Sequence, residues 1–289
     1  MTGASDADRD ADVDVDGGDA TDVETTGRTE SGAADSAADG GDDAATPTVA
    51  VFRPDDDRLS SAVELLDSLG AEPVPDPMLA VEPTGATPAP ADWTVFTSKT
   101  GVELAAESGW EPSETAVAAI GPSTADAARD AGWTVDLVPD EYSSTGLVRA
   151  FSDGAAGVSV EVARSDHGSP VLLDGLRDAD ADVHETVLYR LVRPDGSGDS
   201  AERAAAGDLD GACFTSSLTV THFLDAAEER GVRDAARDGL ADAVVGCIGH
   251  PTRETAEDAG VDVDVVPAEA TFASLAEAVV ERLRQDEES

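Results

Sequence analysis

The chain has 289 residues, room for about two domains of ordinary size. Its formal net charge is −44 at pH 7, and Lys99 is its only lysine. Such a charge leaves no basic stripe for a phosphate backbone, so no nucleic-acid partner is expected. Acidic residues recur on nearly every predicted helix, as expected of a whole surface adapted to high salt.

Residues 1–47 are mostly Asp, Gly, Ala, Ser and Thr with scattered valines and no aromatic side chain. This segment cannot bury enough apolar surface to offset ordering, so a disordered acidic tail is expected. Order is predicted to begin at Thr48–Phe52, a β-branched run that stops at Arg53-Pro54 and leaves Arg53 at the strand's carboxyl end. Leu59, Val63, Leu66 and Leu69 then form one helix stripe closed by Gly70. The proline-rich run 73–83 reads as an edge strand or connector.

Strands are predicted at 93–97, 116–120, 133–138 and 158–162, each followed by a turn or helix. The extended run 183–192 pairs naturally with the earlier connector. The second half repeats the plan, with strands at 210–215, 243–248 and 261–266 and a last helix carrying Phe272, Leu275, Val279 and Leu283. Gly121/Gly249, Thr124/Thr252, Gly132/Gly260, Pro139/Pro267 and Leu147/Leu275 all share an offset of 128. The strand-turns Phe96-Thr97-Ser98 and Phe214-Thr215-Ser216 are offset by 118, so the second copy holds about ten extra residues. An internal duplication follows. Strands alternating with helices imply parallel sheets covered on both faces.

Cys213 and Cys247 lie in apolar strand runs, and His167, His184, His222 and His250 are dispersed. Buried reduced thiols, no metal site and a cytoplasmic location are expected. No apolar run approaches the ~18 residues of a membrane span, and no basic-apolar leader occurs, so no membrane contact is expected. There is no triad elbow, Walker loop or dinucleotide fingerprint. Hydroxyls recur instead at strand carboxyl ends: Thr97, Ser98, Ser123, Thr124, Ser144, Thr215, Ser216, Ser217 and Thr252. For any one of them helix capping is the commoner role; as a doubled set they outline a surface for carboxylate or phosphate groups. Gly121 and Gly249 open two of the helices. Arg53, Lys99, Arg164, Arg190 and Arg193 are the nearby cations, each open to a plain salt-bridge role in so acidic a chain. Tyr189 sits in the connector, where a phenol can donate a proton or simply pack.

The opening Val51-Phe52-Arg53-Pro54, the two Phe-Thr-Ser turns, Ile120-Gly121-Pro122-Ser123-Thr124-Ala125 and Tyr142-Ser143-Ser144-Thr145-Gly146-Leu147 resemble the uroporphyrinogen-III synthase family. Glu185-Thr186-Val187-Leu188-Tyr189 and the helix start Thr271–Leu275 fit too, so the resemblance runs over about 49–284. It implies an α/β fold of two flavodoxin-like parallel-sheet lobes: lobe 1 from 48–76 and 192–284, lobe 2 from 82–184, with 77–81 and 185–191 as a two-stranded β connector. It also implies a cytoplasmic, cofactor-independent monomer that takes a linear tetrapyrrole polycarboxylate. That substrate, hydroxymethylbilane, is cyclised with inversion of ring D and loss of water. The family's connector tyrosine maps onto Tyr189, and the helix-cap set with Arg53, Lys99 and Arg164 would bind substrate. His250-Pro251 departs from the family's usual proline directly after the glycine. The competing expectation is a non-catalytic two-lobed anion-binding or sensor protein.

Overall fold

The computed structural model describes residues 46–151 and 154–287; all but the last two residues of the expected tail lie outside this range. In chain order the elements begin β1 (Thr48–Val51), α1 (Asp57–Ser68), β2 (Glu72–Pro75), β3 (Ala80–Pro83), β4 (Trp93–Phe96), α2 (Lys99–Glu107), β5 (Ala116–Ala119) and α3 (Pro122–Asp130). Next come α4 (Ser144–Phe151), β6 (Ser159–Ser165), α5 (Pro170–Asp178) and β7 (Asp182–Val192). The chain ends with α6 (Asp199–Ala206), β8 (Gly211–Phe214), α7 (Ser217–Glu229), α8 (Arg233–Ala241), β9 (Val244–Cys247), α9 (His250–Asp258) and α10 (Phe272–Glu287).

Two sheets organise these elements, with strand orders β2-β1-β8-β9 and β3-β7-β6-β4-β5. All pairings are parallel except β3 with β7. β1, β4, β5, β8 and β9 are nearly continuous apolar runs because both faces are covered. Along β1, Val49 and Val51 enter one core and Ala50 the other; along β8, Cys213 enters the first and Ala212 and Phe214 the second. In the five-stranded sheet Val95 and Phe96 divide in the same way. Each sheet anchors one core on an aromatic trio. Phe96 packs with Trp110 and Trp133, and its counterpart 118 residues on, Phe214, with Phe52 and Phe223. Each pair is worth about 0.5–1.5 kcal/mol beyond area burial.

The two sheets share one spatial plan with a permuted chain order. β8, β9 and a bridge at Val265 correspond to β4, β5 and a bridge at Leu137. β1-α1-β2 corresponds to β6-α5-β7, which enters first in one sheet and last in the other. The carboxylate just before the central strand does the same work in each. Asp210 Oδ2 accepts the Thr48 N–H at 2.7 Å, and Asp92 Oδ2 accepts the Ser159 N–H at 2.8 Å. The extra residues of the second copy are accounted for by a longer α7 and the nine-residue α8, which had not been expected, nor had α6.

Two strand expectations are corrected. Residues 133–138 and 261–266 are not strands but contribute single parallel bridges, Ala118↔Leu137 and Gly246↔Val265. Asp136 and Asp264 interrupt the ladder: their side chains accept the Val117 and Val245 N–H groups, each at 2.9 Å. The proline-rich run divides between the sheets. Pro73 and Pro75 lie in the edge strand β2, where a missing donor costs least, while β3 pairs antiparallel with the end of β7. The run 185–191 lies inside the 11-residue β7, which runs parallel to β6 over its first part. Outside the strands, 76–79 and 193–198 carry the chain from one sheet to the other.

Cys213 and Cys247 are fully buried, and desolvation pushes each thiol up to about 12. The native protein is therefore expected to leave both unreacted with a thiol reagent such as DTNB at neutral pH, and to release two thiols per chain on unfolding. Reaction of either in the folded state at the unfolded rate would contradict this burial.

Candidate functional site

Because all strands but β3 run parallel within their sheets, the turns that follow them gather at one edge, the usual ligand edge of open α/β sheets. Beyond the five-stranded sheet lie Thr97, Ser98, Lys99, Gly121, Ser123, Thr124 and Ser144; beyond the four-stranded sheet lie Arg53, Thr215, Ser216, Ser217, Gly249 and Thr252. One packing contact ties the two groups. Leu218, in the first turn of α7, lies against the cluster that holds Leu79, Leu188, Tyr189 and Leu191.

The hydroxyls divide by what they already do. Ser98 caps α2, its Oγ accepting the Gly101 N–H at 3.0 Å. Ser216 caps α7 through a reciprocal box with Thr219. Thr215 Oγ1 donates to the Phe52 carbonyl at 3.0 Å, and Ser217 Oγ to the Pro251 carbonyl at 3.1 Å. At α4 the cap is Ser143 rather than the expected Ser144: Ser143 Oγ accepts the Gly146 N–H at 3.0 Å, as Thr271 Oγ1 accepts the Ser274 N–H at 3.2 Å 128 residues later. Ser144 is buried in the first turn.

α3 and α9 are different. Each starts at an extended glycine, Gly121 or Gly249, with a proline in the first turn and no side-chain cap. His250-Pro251 therefore preserves the geometry of Pro122-Ser123. An uncapped helix N-terminus presents backbone N–H groups and the positive end of the helix dipole. Behind them Thr124 and Thr252 are buried. Among the described residues, Thr124 Oγ1 is one of two buried side-chain oxygens lacking a hydrogen-bond partner.

The cations are mostly engaged. Arg164 is 6 % exposed, and its guanidinium is spent on Glu185, Nε to Oε1 2.7 Å, and on the Ser169 carbonyl. It braces β6 against β7 rather than offering a free charge. Lys99 reaches Glu103 at 3.7 Å and stays partly exposed. It lies at the end of an open depression of about 660 Å³ between α2 and α3 whose other charges are Glu103, Glu107, Asp126 and Asp130. Those carboxylates repel an anion, so the depression itself is not an anion site. Arg53 lies over the Phe272 ring at 5.1 Å, where burial and then Arg58 lower its pKa against the pull of Asp56. Arg193 pairs with Glu229.

Tyr189 is 2 % exposed and its hydroxyl donates to Ser98 Oγ at 2.9 Å. The phenol is thereby fixed to the cap of α2, at the ligand edge. His222, on α7, pairs through Nδ1 with the Met78 carbonyl; burial lowers its pKa, keeping it neutral, with Nδ1 as the protonated nitrogen. Asp166 accepts the Leu191 N–H at 3.0 Å and holds His167 at 2.8 Å. Neither was singled out from sequence, because nothing local marks a residue whose partner lies in another element. The Ser143/Thr271 and Asp136/Asp264 pairs were findable, since each obeys the 128-residue offset. Among the described residues no group of three His, Cys, Asp or Glu side chains could hold a metal ion, and no helix is long and apolar enough to cross a membrane.

Two parallel α/β sheets with uncapped helix N-termini at their ligand edges define a class of α/β protein suited to holding a small anion. The sequence model of one family, described as uroporphyrinogen-III synthase HemD, matches residues 60–277. A putative uroporphyrinogen-III synthase of Methanothermobacter thermautotrophicus is 29% identical over 255 residues, covering 82% of this chain and 99% of its own length. The uroporphyrinogen-III synthase of Synechococcus elongatus is 28% identical over 220 residues, 73% of this chain and 83% of its own. A crystal structure of a mutant uroporphyrinogen III synthase from Thermus thermophilus superposes with a TM-score of 0.61 at 20% identity, over 83% of this chain and 100% of that one. The chain belongs to the uroporphyrinogen-III synthase family.

Proposed function

We propose that this chain closes the linear tetrapyrrole hydroxymethylbilane into uroporphyrinogen III, with inversion of ring D and loss of water. The observation that carries the reading is the pair of glycine-started, uncapped helices α3 and α9, equivalent by duplication and set at the ligand edges of two sheets. Gly121, Ser123 and Thr124 on one side and Gly249 and Thr252 on the other are the groups best placed for substrate carboxylates. Ser98 and Ser216 hold the helices that flank them. In this reading the sheets belong to lobe 1 (48–76 and 192–284) and lobe 2 (82–184), the chain crosses between them at 76–79 and 193–198, and the substrate lies between.

Tyr189 is the proton donor in this proposal. The C–O bond of the hydroxymethyl group breaks as a pyrrole nitrogen supplies its electron pair, and the departing hydroxyl takes the phenol proton and leaves as water. The substituted carbon of ring D attacks the exocyclic methylene of the azafulvene cation and forms the spiro centre. The spiro intermediate reopens and recloses with that ring inverted, and loss of a ring proton restores neutrality. A buried, hydrogen-bonded phenol needs little reorganisation to change acceptor from Ser98 Oγ to the departing oxygen. Holding a flexible polyanion in a folded pose supplies much of the remaining barrier reduction. The reaction draws on no metal or organic cofactor, and the protein acts as a cytoplasmic monomer.

The test gives purified protein, in molar salt, freshly made hydroxymethylbilane, and separates the oxidised porphyrins by chromatography. Type III porphyrin is the expected product. Type I alone, the result of spontaneous closure, would overturn the proposal and favour a non-catalytic anion-binding protein.

A further inference from the structure

We propose that Tyr142 is an aromatic platform for one pyrrole ring of the substrate and makes the two ligand edges unequal, so that the tetrapyrrole binds in one direction. This deepens the synthase reading and rests on it. Among the described residues Tyr142 is the only large hydrophobic side chain left exposed, at 63 %. It lies at the ligand edge of the five-stranded sheet, against the start of α3. Its Cβ and Cγ are 3.5 and 3.6 Å from the point a Cβ on Gly121 would occupy. The absence of a side chain at Gly121 leaves the ring close above the uncapped helix N-terminus, with the unpartnered Thr124 Oγ1 buried in the same turn.

The turn that presents the ring is held on both sides. The Ser143 N–H donates to the Glu141 carbonyl at 2.9 Å, Ser143 Oγ donates to Glu141 Oε1 at 3.0 Å, and Arg149 pairs with Glu141. These contacts fix the backbone that carries Tyr142, so little of the turn's conformational freedom is lost when a ligand covers the ring. A pyrrole offers it a flat π face, and the carboxylate arm of the same pyrrole can reach the α3 amides. A single ring with an acidic arm thus meets both features at once.

The duplicated edge lacks the platform. The residue 128 positions after Tyr142 is Ala270, although the flanking Glu141/Glu269 and Ser143/Thr271 pairs keep the same turn. Around Gly249 only Pro251 comes within 4 Å of the corresponding point, at 3.9 Å. A ligand whose four rings are chemically similar would otherwise meet two similar edges. One aromatic face on one side distinguishes them.

Tyr142→Ala and Tyr142→Phe are compared with the unaltered protein in two assays. The first is type III formation from hydroxymethylbilane, and the second is titration with uroporphyrin III, the oxidised polycarboxylate product. Loss of the ring is expected to raise KM and the uroporphyrin Kd about five- to tenfold, the size of one aromatic contact. Type I porphyrin should rise as a share of product, with the melting midpoint unchanged because the side chain is exposed. Tyr142→Phe keeps the ring and should stay within about twofold in both assays. An alanine variant that binds uroporphyrin like the unaltered protein would overturn the platform, as would equal losses in both variants, which would assign the effect to the hydroxyl. Failure of the synthase reading is read separately, from type I as the sole product of the unaltered protein.

Discussion

Tyr189→Phe is expected to slow type III formation by about 10²-fold with KM little changed, the signature of a group that acts on the transition state more than on the bound substrate. The substitution removes one oxygen from a side chain that is 2 % exposed and packed with Leu79, Leu188 and Leu191. The ring stays in its cluster. Ser98 Oγ loses one hydrogen bond but still accepts the Gly101 N–H, so α2 keeps its cap. The stability cost is that of one neutral hydrogen bond, about 1 kcal/mol. Spontaneous closure continues at its own rate, so the ratio of type III to type I product reads the loss without a separate blank. A phenylalanine variant with full type III rate would rule out the proton-donor role and leave positioning as the source of catalysis.

Asp76→Ala is expected to be the most destabilising single change at the joint between the two sheets. Asp76 follows β2 and is 3 % exposed. Its carboxylate accepts the Gly198 N–H at 2.8 and 3.1 Å, the Ser200 N–H at 2.9 Å and the Ser200 hydroxyl. These donors open α6, whose N-cap Gly198 has φ 111° and no side-chain cap of its own. The carboxylate thus caps a helix 122 positions away and ties together the two stretches by which the chain passes between sheets. Alanine leaves three donors buried with no acceptor, at about 1–3 kcal/mol each before relaxation. A net loss of about 3–5 kcal/mol, or a melting midpoint roughly 10 °C lower, follows for a chain of this size. Asp76→Asn, which retains an acceptor oxygen, should lose less than half as much. A midpoint for the alanine variant within about 2 °C of the unaltered protein would show that the clasp does not hold the joint.

The parallel α/β class and the duplication were legible because they rest on local, repeated signals. β-branched runs ending at hydroxyl turns, and glycines and prolines 128 apart, record where strands stop and helices start. The strands at 133–138 and 261–266 were misread for a physical reason. Their apolar alternation is real, but the Asp136 and Asp264 side chains occupy the N–H groups that a ladder would need. The permuted unit was invisible to a constant offset, because β6-α5-β7 follows its sheet's other strands while β1-α1-β2 precedes them. At the site, residue types were readable but their employment was not. Arg164, open in the sequence to an anion or to a salt bridge, is paired with Glu185; Ser98 and Ser216 take the capping role that is the commoner one for such hydroxyls.

By itself the sequence determined the family, the positions of the turns and the glycines that start α3 and α9, since each depends on residues adjacent in the chain. Only the tertiary structure decided which hydroxyls and cations are already spoken for, that Tyr189 hangs from Ser98, and that Asp76 closes the joint. The Tyr189 and Asp76 pairings join residues 91 and 122 positions apart and the Arg164–Glu185 pair 21, and burial and hydrogen-bond satisfaction are properties of the pair.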